Sequence, residues 1–320
     1  MQKVGNEMPK ILITPRGYAK FGLDNKKKLE EAGYTVDWND TGKPLSREVF
    51  LKKAKEATGI IVGVDLCDRE LLLQCKKLKV IVKFGVGVDN IDLEACEELG
   101  IKVGRCIGTN SNSVAEMTLA MMFACSKNLV SNAMAVKNYG WVKPTGVELL
   151  NKKIGILGFG NIGKRVAKLA HGIGMDVYVY DVFDISEDIL ENYGIKQVAL
   201  DYIYKTCDYI TVHTPLTEKT KNMISYSEFK KMKNTAIIVN AARGGIIDEK
   251  ALLDALKNKQ ILAAASDVFS SEPPVKCEIT DELLALDNFI LTSHIASRSQ
   301  EAEKNTVIRS TEVLLELLNG

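Results

Sequence analysis

The run Lys153-Ile154-Gly155-Ile156-Leu157 leads straight into Gly158-Phe159-Gly160-Asn161-Ile162-Gly163, and then into the helical pattern Lys164-Arg165-Val166-Ala167-Lys168-Leu169-Ala170-His171. A buried strand, a tight glycine turn and a helix start are what a bound pyrophosphate requires. Gly158 allows the sharp turn, Gly160 lets backbone approach the phosphates, and Gly163 lets helix and strand pack closely, with the positive helix N-terminus beneath the anion. The amides of Asn161 and Ile162 open that helix. The next strand, Asp176 to Tyr180, ends at Asp181, 18 residues past Gly163. That is close to the spacing at which an acid meets the adenosine ribose, and a carboxylate there accepts from both hydroxyls and repels a 2′-phosphate. The expected cofactor is therefore NAD.

The 320 residues are 46% hydrophobic, enough for two domains with full cores. The 42 Lys and Arg nearly cancel the 41 Asp and Glu, so overall charge suggests neither a nucleic-acid partner nor a membrane surface. No segment approaches the roughly 18 apolar residues of a span, and only Ile11-Leu12-Ile13 stands near the N-terminus, where a signal peptide needs a long apolar stretch. A cytoplasmic location is expected. Cys67, Cys75, Cys96, Cys106, Cys125, Cys207 and Cys277 are scattered, with no spacing that suggests a metal site, and read as reduced structural residues. Met1 to Pro9 reads as a tail.

From Lys10 onward, continuous aliphatic runs alternate with helical patterns: 11–14, 35–38, 60–62, 80–84 and 101–103 as strands. Strands apolar on both faces belong to a parallel sheet covered by helices. A second alternation from Lys153 supplies six strands, at 154–157, 176–180, 209–213, 236–240, 261–266 and 289–292. Between them, Ser113 and Glu116 fit an S-x-x-E capping box at the head of one long apolar helix running to about Lys137. The last helix, about Gln300 to Leu318, carries Val307, Thr311, Leu314 and Leu318 on one face and has no strand after it. It is expected to return to the first domain and to leave no room for an appended regulatory domain. The fold class is thus α/β with two doubly wound parallel-sheet domains. A Rossmann NAD-binding domain over 108–295 is inserted in a discontinuous, flavodoxin-like substrate domain over 1–107 and 296–320, with the active site expected between the two.

Three further segments sit at strand ends, where open α/β sheets bind ligands. Asn240-Ala241-Ala242-Arg243-Gly244-Gly245-Ile246-Ile247-Asp248 follows one strand, Asp267-Val268-Phe269-Ser270-Ser271-Glu272-Pro273 another, and Thr292-Ser293-His294-Ile295-Ala296 the last. An arginine, a glutamate and a histidine at three strand ends are together harder to read as surface residues than each is alone.

With GFGNIG and Lys83-Phe84-Gly85-Val86-Gly87-Val88-Asp89-Asn90-Ile91-Asp92, these segments resemble the D-isomer-specific 2-hydroxyacid dehydrogenases from about residue 10 to the end. The resemblance implies that Arg243, Glu272 and His294 are catalytic and that Asp267 lies near the nicotinamide, with Ala241 and Ala296 also on the cofactor. It places His213, Thr214 and Pro215 on the adenosine side, and Lys83, Gly85, Val86 and Gly87, with Arg243, on the substrate carboxylate. The residue types suit that chemistry: protonated His294 can give a proton to a forming alkoxide, Glu272 can hold its imidazole, and Arg243 presents a planar fork. Lys83 stands where relatives often have arginine, and Asn161 replaces a common arginine.

The implied substrate is a small 2-hydroxy or 2-oxo acid, phosphoglycerate first, with Arg16, Lys83 and Arg298 as possible phosphate cations. The alternatives are glycerate or hydroxypyruvate reduction, D-lactate dehydrogenation and, in another class, an NAD-sensing corepressor. The apolar surplus at Met117, Leu119, Met121, Met122 and Phe123 exceeds one helix face, and a homodimer across that helix is expected.

Overall fold

The computed structural model describes residues 8–320; the expected tail lies outside them except for Met8 and Pro9. The chain forms two compact units, one ending at Asn110 and completed by Arg298–Gly320, the other Ser111–Ser297.

The first unit is a five-stranded parallel sheet of β1 (Lys10–Ile13), β2 (Thr35–Trp38), β3 (Ala57–Val62), β4 (Val80–Lys83) and β5 (Lys102–Arg105), in the order β2-β1-β3-β4-β5. This is the flavodoxin-like order, with its switch point between β1 and β3. The helix Gln300–Asn319, capped by Ser299 through the Ala302 amide, returns to this sheet and packs on β3, β4 and β5. Val307, Thr311 and Leu314 of the expected stripe are buried, and Leu318 is packed against the same cluster. Gly104 on β5 makes the approach possible, because a Cβ there would lie 2.4 Å from Val313 Cγ1. Tyr18 meets the helix with its hydroxyl 2.6 Å from Thr311 Oγ1, and burial pushes the phenol up to about 12.

The second unit has seven parallel strands: β6 (Lys153–Leu157), β7 (Asp176–Tyr180), β8 (Ile195–Gln197), β9 (Tyr209–Val212), β10 (Ile237–Asn240), β11 (Ala263–Ser266) and β12 (Phe289–Leu291). Their order is β12-β11-β10-β9-β6-β7-β8. The sequence predicts six of them. The seventh, β8, is a three-residue edge strand with an exposed Lys196 at its centre, too short and too polar to show a periodic signal. Successive residues of the central strands enter opposite cores: Ile237 and Val239 face one cluster and Ile238 the other.

The register sets up the site. Leu157 of β6 pairs with Val212 of β9, Val212 with Asn240 of β10, Asn240 with Ser266 of β11, and Ser266 with Leu291 of β12. The segments starting at Gly158, His213, Ala241, Asp267 and Thr292 therefore leave the sheet along one edge.

Two expectations before β6 are corrected. The single helix to Lys137 is two helices, Ser111–Ser126 and Leu129–Lys137, bent by 64°. Asn128 takes a left-handed φ of 51°, and the Ser126 carbonyl accepts the Val147 amide at 2.8 Å as the following loop crosses the helix end. Apolar residues on both sides of the break hide it from periodicity, and asparagine tolerates that conformation best after glycine. The capping box is also not formed. Ser113 lies inside the helix and donates its hydroxyl to the Ala296 carbonyl at 2.6 Å, while Glu116 accepts from Asn112 Nδ2. Among the described residues no single helix is long and apolar enough to cross a membrane.

Candidate active site

The glycine turn after β6 is shaped by contacts that leave no room for a side chain. Gly158 has φ +99°, and a Cβ there would lie 2.8 Å from the His213 carbonyl oxygen. One on Gly163 would lie 2.1 Å from the Gly158 carbonyl oxygen. Gly160, in contrast, has no heavy atom within 4 Å of the position its Cβ would take. That space lies at the N-terminus of the helix Asn161–Gly172, which has no side-chain cap, so the first-turn amides of Asn161 and Ile162 suit a phosphate.

Asp181, just past β7, is held against this turn: Oδ2 accepts the Phe159 amide at 2.7 Å and Oδ1 the Phe183 amide at 3.1 Å. Each carboxylate oxygen retains a lone pair for a ribose hydroxyl. After β9, among the described residues, neither ring nitrogen of His213 nor the Thr214 hydroxyl has a hydrogen-bond partner, although all three are buried. Burial drives the His213 imidazole down to about 3, so the ring is neutral. Pro215 follows them, and its carbonyl accepts the Thr220 hydroxyl at 2.6 Å. Ala241, Ala296 and Val114 form a small apolar patch with Ile162 packed against it. These residues fit a dinucleotide: an open phosphate position, a fixed acid, unspent polar atoms and an apolar wall.

Asn240, buried at the end of β10, shapes the next loop. Its amide donates to the Arg243 carbonyl at 2.9 Å and its oxygen accepts the Ala242 amide at 3.0 Å. Arg243 Nη1 donates to the Ala242 carbonyl at 2.8 Å. Gly244 then runs directly over the loop after β11, where a Cβ would lie 1.9 Å from the Phe269 carbonyl oxygen.

Asp267 is 1% exposed, and its role here goes beyond what the sequence expects of it. Its carboxylate accepts the Thr292 hydroxyl and the amides of Ile295, at 2.9 Å, and Ala296, at 2.7 Å. Its carbonyl accepts the His294 amide at 2.9 Å. His294 has φ +53°, an uncommon conformation for a side-chain-bearing residue, and these four bonds hold the backbone on both sides of it. The imidazole then meets Glu272, with Nδ1 2.6 Å from Oε2, while Glu272 Oε1 accepts the Phe269 amide at 3.1 Å. Arg243, Glu272 and His294 thus lie on adjoining loops of one sheet edge.

The Lys83 segment belongs to the first unit. Lys83 Nζ donates to the Gly63 carbonyl and to Asn90 Oδ1, each at 2.6 Å. Asn90 Nδ2 donates to the Asp65 carbonyl at 2.6 Å, and Thr14 donates to the Asp65 carboxylate. Asn90, Asp65 and Thr14 are partners that sequence reasoning missed; the Asn90 of the DNID stretch was the available signal. Gly85 has φ +146° and open space at its Cβ position, and Val86 and Gly87 beside it are half-buried. Cys106 donates its thiol to the Lys83 carbonyl at 3.2 Å, and burial pushes that thiol up to about 11, as suits a structural cysteine.

A Rossmann sheet with this cradle is an NAD-binding unit. Residues 119–296 match the family described as D-isomer specific 2-hydroxyacid dehydrogenase, NAD binding domain. A D-3-phosphoglycerate dehydrogenase of Methanocaldococcus jannaschii is 39% identical over 318 residues, covering 98% of this chain and 58% of that one. A hydroxypyruvate reductase of Thermotoga maritima is 37% identical over 299 residues, covering 92% of this chain and 93% of that one. Among solved structures, the NAD+-bound 3-phosphoglycerate dehydrogenase of Entamoeba histolytica superposes with a TM-score of 0.82 at 30% identity, covering 98% and 96% of the two chains. The chain belongs to the D-isomer specific 2-hydroxyacid dehydrogenase family.

Proposed function

We propose that the chain interconverts a D-2-hydroxy acid and its 2-oxo acid, with NAD as the redox partner. The observation that carries this reading is the 2.6 Å contact between His294 Nδ1 and Glu272 Oε2, on loops beside Arg243 and on the edge that carries the dinucleotide cradle. When bound, the nicotinamide supplies the hydride to the carbonyl carbon. With Nδ1 committed to Glu272, His294 has Nε2 left to give its proton to the carbonyl oxygen, and in the oxidative direction to take it back. The Glu272 carboxylate, 2.6 Å from Nδ1, fixes the orientation of the ring for this step. Arg243 takes the substrate carboxylate with a fork that lysine lacks. Turnover of a 2-oxo acid with NADH separates this reading from a corepressor-like binding protein.

For the substrate we favour 3-phosphoglycerate, in line with the Methanocaldococcus relative. One observation favours hydroxypyruvate instead: Arg298 is already paired with Glu303 at 2.9 Å, which weakens it as a phosphate ligand. The test is kcat/KM for 3-phosphohydroxypyruvate against hydroxypyruvate. Charge-assisted hydrogen bonds of about 1.5–3 kcal/mol give a preference on the order of 10- to 100-fold for the phosphorylated acid, eroded by salt. Equal rates would assign hydroxypyruvate chemistry.

We further propose a homodimer, through the C-terminal end of the helical stretch that the sequence suggests and the loop after it. Leu119, Met121 and Met122 are buried in the chain's own core, so most of the apolar surplus of Ser111–Ser126 is used internally, while Phe123 stays 39% exposed. Further exposed apolar side chains follow it: Leu129, Met134, Tyr139 and Trp141, the last 79% exposed.

A further inference from the structure

We infer that Glu249, outside the three expected catalytic positions, is a positioning residue that holds Glu272 in register with His294. Glu249 is the first residue of the helix Glu249–Lys257, six positions after Arg243. An acid in a first turn is ordinarily explained by the helix dipole, with its carboxylate left to solvent. Here both oxygens cross to another loop. Oε1 accepts the Ser270 amide at 2.7 Å and Oε2 accepts the Ser270 hydroxyl at 2.8 Å, a two-point grip on one residue.

Ser270 adjoins the peptide that orients the acid. The Phe269 amide donates to Glu272 Oε1 at 3.1 Å, and Glu272 Oε2 meets His294 Nδ1 at 2.6 Å. The path from Glu249 to the imidazole therefore runs through bonds at every step. Its root is rigid. Asp248 caps the helix through the Ala251 amide, and Ala251, Leu252, Ala255 and Leu256 are buried. On the other side, Gly244 presses on the Phe269 carbonyl, so Phe269 and Ser270 are held between Gly244 and Glu249. Ser270 itself is exposed and, among the described residues, its only side-chain partner is Glu249. Without that grip, no other hydrogen bond of the Ser270 side chain among the described residues anchors the Glu272 loop.

This inference rests on Glu272 and His294 being the proton-transfer pair. Displacements of an ångström at a reacting group cost up to 10²-fold, so Glu249→Ala should lower kcat for 2-oxo acid reduction by about tenfold or more while NADH affinity by fluorescence titration stays within about twofold. Glu249→Gln keeps an acceptor for the Ser270 amide and a donor for its hydroxyl, and should restore kcat to within about threefold. Because Glu249 acts through Glu272, adding Glu249→Ala to Glu272→Ala should cost nothing further. Ser270→Ala, on an exposed loop, removes one of the two contacts and should lower kcat several-fold, which carries the test if Glu249→Ala does not fold. Unchanged kcat in a folded Glu249→Ala, or in Ser270→Ala, would overturn the inference, as would full additivity with Glu272→Ala. If Glu272→Ala and His294→Ala themselves keep wild-type turnover, it is the underlying assignment that fails.

Discussion

The carboxylate of Asp181 accepts the Phe159 amide at 2.7 Å, which ties the acid beyond β7 to the second residue of the glycine turn. The acid is therefore fixed against the glycine turn, and as the proposed ribose ligand it would set against a 2′-phosphate a negative charge that cannot swing away. NAD(H) should be used at least about tenfold better than NADP(H) in kcat/KM, the ratio that corresponds to about 1.4 kcal/mol. Asp181→Ser should narrow the gap. Equal use of the two cofactors by the wild-type chain would contradict this placement.

His294→Ala should lower kcat for 2-oxo acid reduction by about 10²- to 10⁴-fold, the range for a positioned general acid. Glu272→Gln keeps the shape of the side chain and removes its charge. The ring then loses its charged orienting partner, so kcat for reduction should fall while NADH affinity by fluorescence titration stays unchanged. Stopped-flow or steady-state rates decide the matter, and an unchanged kcat would separate Glu272 from the proton transfer.

Much of this arrangement is legible from residue order. Continuous aliphatic runs show a parallel sheet, and GFGNIG followed by Asp181 places the cradle, because turn, close approach and acid are each enforced locally. Arg243, Glu272 and His294 stand out because each follows an apolar strand and strand ends converge in this fold. What sequence does not show is what holds them. Asp267 reads as a cofactor residue, yet three of its bonds brace the backbone around His294, and those partners lie 25 to 29 positions away. The break at Asn128 is silent for a different reason: it depends on Val147 capturing a carbonyl 21 residues upstream. The Leu119 to Met122 stretch misleads because a helix packed in the interior and one packed on a partner carry the same composition.

The exposed segment after that break makes the oligomer testable. Trp141 is 79% exposed and Tyr139 fully so, an unusual pair for a surface without a partner. Light scattering at micromolar concentration should give the mass of a dimer, and Trp141→Glu, which places a charge on the patch, should shift it toward the monomer. A wild-type monomer at that concentration would rule out the proposed interface.

His213 makes stability depend on pH in a direction that can be worked out. Burial lowers its imidazole from the ordinary 6.5 to about 3, so the unfolded chain binds a proton in that window that the folded chain refuses. Stability is complete above about 6.5 and falls as pH drops toward 3, by at most about 1.4 kcal/mol per pH unit for one proton. Denaturant unfolding of the cofactor-free protein between about pH 7.5 and pH 5 reads this slope ahead of most carboxylate titration. His213→Gln removes the titrating group while leaving a polar side chain of similar reach, so its stability should vary less over the same interval. Parallel slopes for the two proteins would show that the His213 ring is hydrated in the folded chain, and would remove it as a neutral wall of the cofactor cradle.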